Sequence, residues 1–392
     1  MVSKNGHIFA SCPINDEILN MTKKPSFDRN KPFNHLPLLP PAEEIIDLDV
    51  LKQWGLASRA LAELNANMHR LPNPAMLINT ISLQEAKSSS AIENIFSTED
   101  ELFRAISDSV NEEAVNPNTK EVLRYREALW AGYNTIEKKG KIDLKTIIGI
   151  FQKVKNTKEG IRPPQSQVII KRGHSEFRAG EVIYTPPRGE GVVEEMIKNL
   201  IHYLNNDKDK TDPLLKMVIA HYQFEAIHPF SDGTGRTGRI LNLLYLVNQN
   251  LLSHPVLYLS KYIIEHKDEY YQFLSSVTQR NTWKPWLFFL LKGVEQTSKQ
   301  TNQTIDAIIS QMDATLELGK QKLKWYSKEI NEALFTQPYI KPRVIGALLE
   351  RTSRTTLTKY MMELTKLKIL SVKQEGKEVY YINNDLVRIL QG

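Results

Sequence analysis

His228-Pro229-Phe230-Ser231-Asp232-Gly233-Thr234-Gly235-Arg236-Thr237-Gly238-Arg239 lies between two apolar segments, Pro213 to Ile227 and Arg236 to Val247. Both flanks repeat apolar residues at helical spacing, so the stretch reads as helix, loop, helix. Pro229 stops the first helix and leaves His228 at its C-terminal end. Gly233 and Gly235 permit a tight turn with inward-pointing amides, an anion nest. The free N–H groups of the next helix open on the same spot. Arg236 and Arg239, three residues apart, share a face of its first turn. Two guanidinium groups, a helix N-terminus and a glycine nest make a polyphosphate site. Asp232 would repel phosphate there unless a cation bridges them, and Mg²⁺ suits that task. His228, whose ordinary pKa lies near neutrality, is then a candidate general base beside the phosphates.

Three other patterns overlap this stretch. Gly233-x-Gly235-x-x-Gly238 matches a dinucleotide fingerprint, but a helix and a His-Pro turn precede it instead of a strand, and Tyr258 to Ser260 carry no acid. The terminal Gly-Lys-Ser/Thr of a P-loop is absent. Glu225-x-x-His228, with His221 on the same helical face, resembles half of a di-iron site, but no second Glu-x-x-His exists to complete it.

Outward from the loop the chain reads as mainly α. Residues 1–40 form an arm rich in Pro, Asn, Lys and Asp, closed by Pro40-Pro41. A first helix is expected from about Ala42 to the Leu71-Pro72-Asn73-Pro74 break, and a second from Pro74 to Asn94, which can cap it in the left-handed region. Further helices are expected at about 98–110, 118–138, 143–155, 190–205, 213–227, 236–249, 261–278 and 283–320. Val168 to Ile170 and Arg178 to Tyr184 look like two short strands around Gly173, ended by Pro186-Pro187. From residue 333 the grammar changes. Helices at 340–350 and 354–368, separated by Arg351-Thr352-Ser353, precede strand-like Leu370 to Lys373 and Glu378 to Ile382 around Gly376. That order is the winged-helix order. The division expected is an arm at 1–40, an N-terminal helical region at 41–110, a core with its connecting helix at 111–332, and a basic module at 333–392.

The 392 residues carry 51 Lys+Arg against 45 Asp+Glu. The last sixty hold ten Lys+Arg against five Asp+Glu, nearly all of the excess. The composition excludes a collagen, a disulfide scaffold and wholesale disorder. The single cysteine, Cys12, cannot form an internal disulfide. No signal peptide and no run of about 18 apolar residues is visible, so a cytoplasmic protein without membrane contact is expected.

The loop also resembles the Fic-domain signature, His-Pro-Phe-x-Asp/Glu-Gly-Asn-Gly-Arg-x-x-Arg. Eleven of its twelve positions run through His228 to Arg239, and Thr234 stands where the signature has Asn. The likeness extends from about Leu36 to Leu291. It implies a Fic-type helical bundle that transfers AMP from ATP to a Ser, Thr or Tyr hydroxyl of a target protein and of itself. It implies that His228 deprotonates the hydroxyl, Asp232 holds Mg²⁺, and the loop from Ser231 through Gly233, Thr234 and Gly235 cradles the phosphates. Arg236 would assist them and Arg239 would grip the γ-phosphate. Tyr270, Tyr271 and Leu274 resemble the wall of an adenine pocket, although the same spacing serves plain helix packing. The hairpin resembles a target-docking flap, with Ile183 as the clamp. Ser89-Ser90-Ala91-Ile92-Glu93-Asn94 fits the inhibitory signature Ser/Thr-x-x-x-Glu-Gly/Asn of the Fic class restrained by an N-terminal helix, in which Glu93 would pair with Arg239.

For the basic module three roles stay open: DNA binding through Arg354, Thr355, Thr358 and Lys359, docking to protein, or pairing with a second copy of the chain. The competing function is a nucleotide-sensing, DNA-binding regulator, and AMP removal at the same site is a further alternative.

Overall fold

The computed structural model describes residues 27–71, 74–107, 115–171, 180–349, 353–375 and 378–391. Cys12, Pro72-Asn73, Gly173, Arg178, Arg351-Thr352, Gly376 and Lys377 lie outside the described residues, as do residues 1–26 of the expected arm. Among the described residues the fold is mainly helical with two small antiparallel sheets. No helix of theirs is long and apolar enough to cross a membrane.

Helices α1 (Leu48–Met68) and α2 (Pro74–Ile92) lead into the short α3 (Glu99–Ser107). Helix α1 begins later than its apolar spacing suggests because Asp47 caps it, accepting from the amides of Asp49 and Val50. Helix α4 (Pro117–Lys139) is capped by Asn116 and stopped by Gly140 at φ 68°. Helix α5 (Leu144–Lys155) is capped by Asp143 and stopped by Asn156 at φ 51°. Strands β1 (Ile170–Lys171) and β2 (Val182–Tyr184) pair antiparallel, Ile170 opposite Tyr184 and Lys171 opposite Val182.

Helices α6 (Val192–Leu204), α7 (Pro213–Ile227) and α8 (Thr234–Asn248) form the centre. Helix α7 has Pro213 in its first turn and Asp212 as cap, and is apolar nearly all round, so it runs through the core. Helices α9 (Leu259–Glu265) and α10 (Lys267–Arg280) replace the single helix expected over 261–278. The break falls at His266, at φ −122° and ψ 39°, which apolar spacing does not register. Helix α11 (Lys284–Lys322) lies along α1 and anchors in the core through Trp286, whose Nε1 donates to the Val218 carbonyl at 3.0 Å.

The C-terminal part runs α12 (Lys328–Phe335), β3 (Tyr339–Ile340), α13 (Pro342–Leu348), α14 (Arg354–Lys366), β4 (Ser371–Glu375), β5 (Glu378–Ile382) and α15 (Asn384–Gln391). Strand β5 sits between β3 and β4. Sequence reading missed α12, β3 and α15, which are too short to show a period, and placed the end of the long connecting helix at about 320, near its observed end at Lys322. Helix α12 crosses residues 332 and 333, where that reading divides the chain. This part packs on α3. Lys373 Nζ donates to Asp100 at 2.7 Å, Tyr339 donates to the same carboxylate, Arg104 pairs with Glu375, and Gln391 donates to Glu99 at 2.9 Å.

Candidate active site

The loop is held from outside by a residue that carries no local signal. Arg162, 3% exposed, donates from Nε to the His228 carbonyl at 2.7 Å and from Nη2 to the carbonyls of Ile227, at 3.3 Å, and Pro187. Its own amide donates to the Pro229 carbonyl at 2.9 Å. Tyr184 Oη of the hairpin donates to the Ala226 carbonyl at 2.9 Å. These contacts satisfy carbonyls that the end of α7 leaves open. His228 is thereby fixed at φ 49° and ψ 64°, its amide bonded back to the Phe224 carbonyl at 3.0 Å. Burial first, then the charge of Arg162, pushes its imidazole down to about 4. At neutral pH the ring is therefore uncharged and able to take a proton.

The turn is closed by Thr234, the residue that departs from the signature. Its Oγ1 accepts from the Phe230 amide at 3.3 Å and donates to the Phe230 carbonyl at 3.2 Å. Phe230 stacks on Phe151 with centroids 3.9 Å apart, tying the loop to α5. Gly233, at φ 84°, starts α8, and a Cβ there would stand 2.9 Å from Lys155 Cγ. Lys155 Nζ lies 2.5 Å from Asp232 Oδ2. Burial works against the Asp232 charge, but Lys155 and Arg236 outweigh it and hold the carboxyl below its ordinary range. Ser231 and Asp232 are exposed at the mouth of the loop.

Both arginines of the motif are buried and both meet a carboxylate. Arg239 donates from Nε to Ser89 Oγ at 2.7 Å, and from Nη2 to the Ser89 carbonyl at 2.9 Å and to Glu93 Oε1 at 2.7 Å. At Gly235 a Cβ would stand 2.5 Å from Glu93 Oε1, so a bare backbone leaves room for the carboxylate. Burial opposes ionisation of both partners, but their mutual attraction prevails: Glu93 is lowered and Arg239 raised. Arg236, 1% exposed, donates from Nη1 to Glu121 Oε2 of α4 at 2.7 Å, and its Nη2 stands 3.8 Å from Asp232 Oδ1. Glu225, one turn before His228, is pushed up to about 7 by burial, with the Glu93 charge adding and Arg239 opposing.

The expected adenine residues are on α10. Tyr270 is 2% exposed and its hydroxyl bonds His221 Nε2 at 3.0 Å, inside the core. Tyr271 meets it edge-on at 5.2 Å, and Tyr271 and Leu274 are half-buried. Ile183 is half-buried on β2. Arg162, Glu121 and Lys155 were not singled out as site residues from sequence, because each reaches the loop from another element; Ser89 was quoted only as the first residue of the inhibitory signature.

Three family models match in chain order: the Fic/DOC family N-terminal model at residues 51–134, the Fic/DOC family model at 141–246, and the C-terminal domain model of SoFic-like protein adenylyltransferases at 312–386. The protein adenylyltransferase fic-1 of Caenorhabditis elegans is 30% identical over 152 residues, 38% of this chain and 28% of that protein. The protein adenylyltransferase Fic of Drosophila mojavensis is 29% identical over 126 residues, 31% of this chain and 24% of that protein. The chain thus spans about a quarter of the length of these relatives. A Fic family protein from Desulfovibrio desulfuricans, at 17% identity, shares the fold with a TM-score of 0.54, covering 88% of this chain and 98% of that one. With N-terminal, central and C-terminal models matched in order along one polypeptide, this chain belongs to the Fic/DOC family.

Proposed function

We propose that the chain is a protein adenylyltransferase that moves AMP from ATP to a hydroxyl side chain of a target protein and of itself. The observation that carries this reading is His228, held at the end of α7 by Arg162, beside a glycine loop and two buried arginines. His228 takes the proton as the hydroxyl oxygen bonds to the α-phosphorus. The bond from that phosphorus to the bridging oxygen breaks, and pyrophosphate leaves. Amides of the loop from Ser231 to Gly235, with Thr234 closing the turn, orient the phosphates. Arg236 and Arg239 neutralise charge on the leaving group.

Asp232 suits Mg²⁺. It is an exposed carboxylate at the loop mouth, and no group of three or more His, Cys, Asp or Glu converges among the described residues. A cation held by one carboxylate plus substrate phosphates is the usual arrangement for Mg²⁺. Bound there, it would neutralise phosphate charge, and Lys155 would have to yield its place on Asp232. Tyr271 and Leu274 are the better-placed contacts for adenine, because the Tyr270 hydroxyl is already engaged. Ile183 would steady the target segment along the hairpin.

Glu93 restrains the enzyme by holding Arg239. The C-terminal module, a winged helix by its element order, docks on the N-terminal region: its wing lysine Lys373 faces Asp100. Arg354 and Lys359, exposed on α14, favour a second reading in which it also meets a duplex. Salt-sensitive binding to a fluorescent duplex would support that role, and none would remove it. ATP as co-substrate fits a cytoplasmic protein.

Incubation with ATP labelled at the α-phosphate tests the main reading. A labelled protein band that needs Mg²⁺ and His228 is expected. Absence of label with wild type and with Glu93→Gly would overturn it.

A further inference from the structure

Arg236 and Arg239 open the same helix, and each is paired at 2.7 Å with a carboxylate from the N-terminal helices. The two carboxylates stand on different ground. Glu93 lies just past Ile92, the last residue of α2, and is followed by Asn94 at φ 61°. A residue beyond a helix end can withdraw by local backbone rotation. Glu121 lies inside α4, a helix of 23 residues packed against α2, α5 and α8, so its backbone is fixed and cannot carry the side chain away from Arg236.

The arginines differ as well. Arg239 has the Ser89 hydroxyl and carbonyl as further acceptors. Arg236 has Glu121 at 2.7 Å, while its Nε is buried without a partner among the described residues and its Nη2 stands at 3.8 Å from Asp232. A guanidinium 1% exposed keeps its charge and must satisfy it locally. Without Glu121 the nearest acid is Asp232. Arg236 would close on it and occupy the carboxylate intended for the cation and the phosphates.

Resting on the adenylyltransferase reading, we infer that Glu121 is a positioning residue that stays bound to Arg236 throughout the reaction and keeps Arg236 off Asp232. It acts in the opposite sense to Glu93. Release of Glu93 raises activity; loss of Glu121 lowers it.

The test uses full-length protein in two backgrounds. In Glu93→Gly, Glu121→Gln should lower kcat/KM for labelling by about tenfold, mainly through a higher KM for ATP, with the melting temperature showing a folded protein. In His228→Ala, which binds but does not transfer, Glu121→Gln should weaken ATP binding by a similar factor, measured by calorimetry with Mg²⁺. Glu121→Asp should recover part of both losses. If Glu121→Gln does not fold, Glu121→Asp must by itself weaken ATP binding measurably. Unchanged affinity and rate in a folded Glu121 variant, or tighter binding and faster labelling, overturns the inference; the second result would make Glu121 another restraint. If the parent His228→Ala binds no ATP, the adenylyltransferase reading has failed instead, which is a separate outcome.

Discussion

The end of α2 and the first turns of α4 present the same chemistry to α8, a glutamate 2.7 Å from a buried arginine, and opposite consequences are proposed for the two pairs. The distance says nothing about which pair can open. The difference lies in the scaffold: Glu93 follows the last residue of its helix, whereas Glu121 sits in the second turn of a helix packed against three others. A third buried arginine completes the contrast. Among the described residues Arg162 meets no carboxylate in its hydrogen bonds; it donates to the carbonyls of Ile227, His228 and Pro187. One arginine pairs with an acid just past a helix end, one with an acid inside a helix, and one holds the backbone.

The largest effect expected from breaking this arrangement is on chemistry alone. His228→Ala should reduce labelling by roughly 10²–10⁴-fold, the usual loss with a general base. Neither arginine pair involves the imidazole, so ATP affinity should stay within about tenfold of wild type, a range of ~1.4 kcal/mol. Calorimetry beside the labelling assay separates the two; a collapse of ATP binding would show that the arginines depend on His228.

Arg162→Ala should act on stability first. Removing its donors strands buried carbonyls, at a cost of about 2–3 kcal/mol. Thermal melting should show the loss, and labelling should fall because His228 loses its backbone anchor. An unchanged melting temperature would make the third arginine dispensable.

The smallest effect is in pH. The His221 and His228 imidazoles are pushed down to about 3 and about 4, chiefly by burial. The unfolded chain protonates them near the ordinary imidazole value, about 6.5. Their stabilising contribution is therefore complete above that pH and is lost as pH falls through the folded values. Glu225, pushed up to about 7, has the opposite sign: its contribution is complete below its ordinary pKa and is lost as pH rises through 7. Burial also lowers His254 and raises Glu85, so three imidazoles stand against two carboxyls, and the melting temperature should rise from pH 5 to pH 6. His228→Asn should flatten that rise; a profile identical to wild type would contradict the depressed imidazole.

The legible part of the site was the part that is local in sequence. From His228 to Arg239 the proline, glycines and arginines each have a consequence within one turn, and the structure keeps them together. Glu93 was readable because its signature sits on a helix end. Arg162, Glu121 and Lys155 arrive from 66 to 115 residues away along the chain, by packing that no local pattern encodes. Tyr270 shows the reverse difficulty. Its position on α10 suggested a ligand wall, but its hydroxyl turns inward to His221. In the fold, long capped helices were visible, while the break at His266 and the short elements around Tyr339 were not. A few residues carry too little periodicity to distinguish them from their neighbours.

The releasable pair is the centre of this account, and substitution of Glu93 tests it most directly. Glu93→Gly removes the carboxylate 2.7 Å from Arg239 and leaves His228, Asp232 and the Arg236–Glu121 pair in place. Incorporation of label from α-labelled ATP into the protein, as AMP, should rise by at least about tenfold over wild type, equivalent to ~1.4 kcal/mol of barrier. Unchanged incorporation together with unchanged ATP affinity would contradict it and leave Glu93 a bystander at the end of a helix.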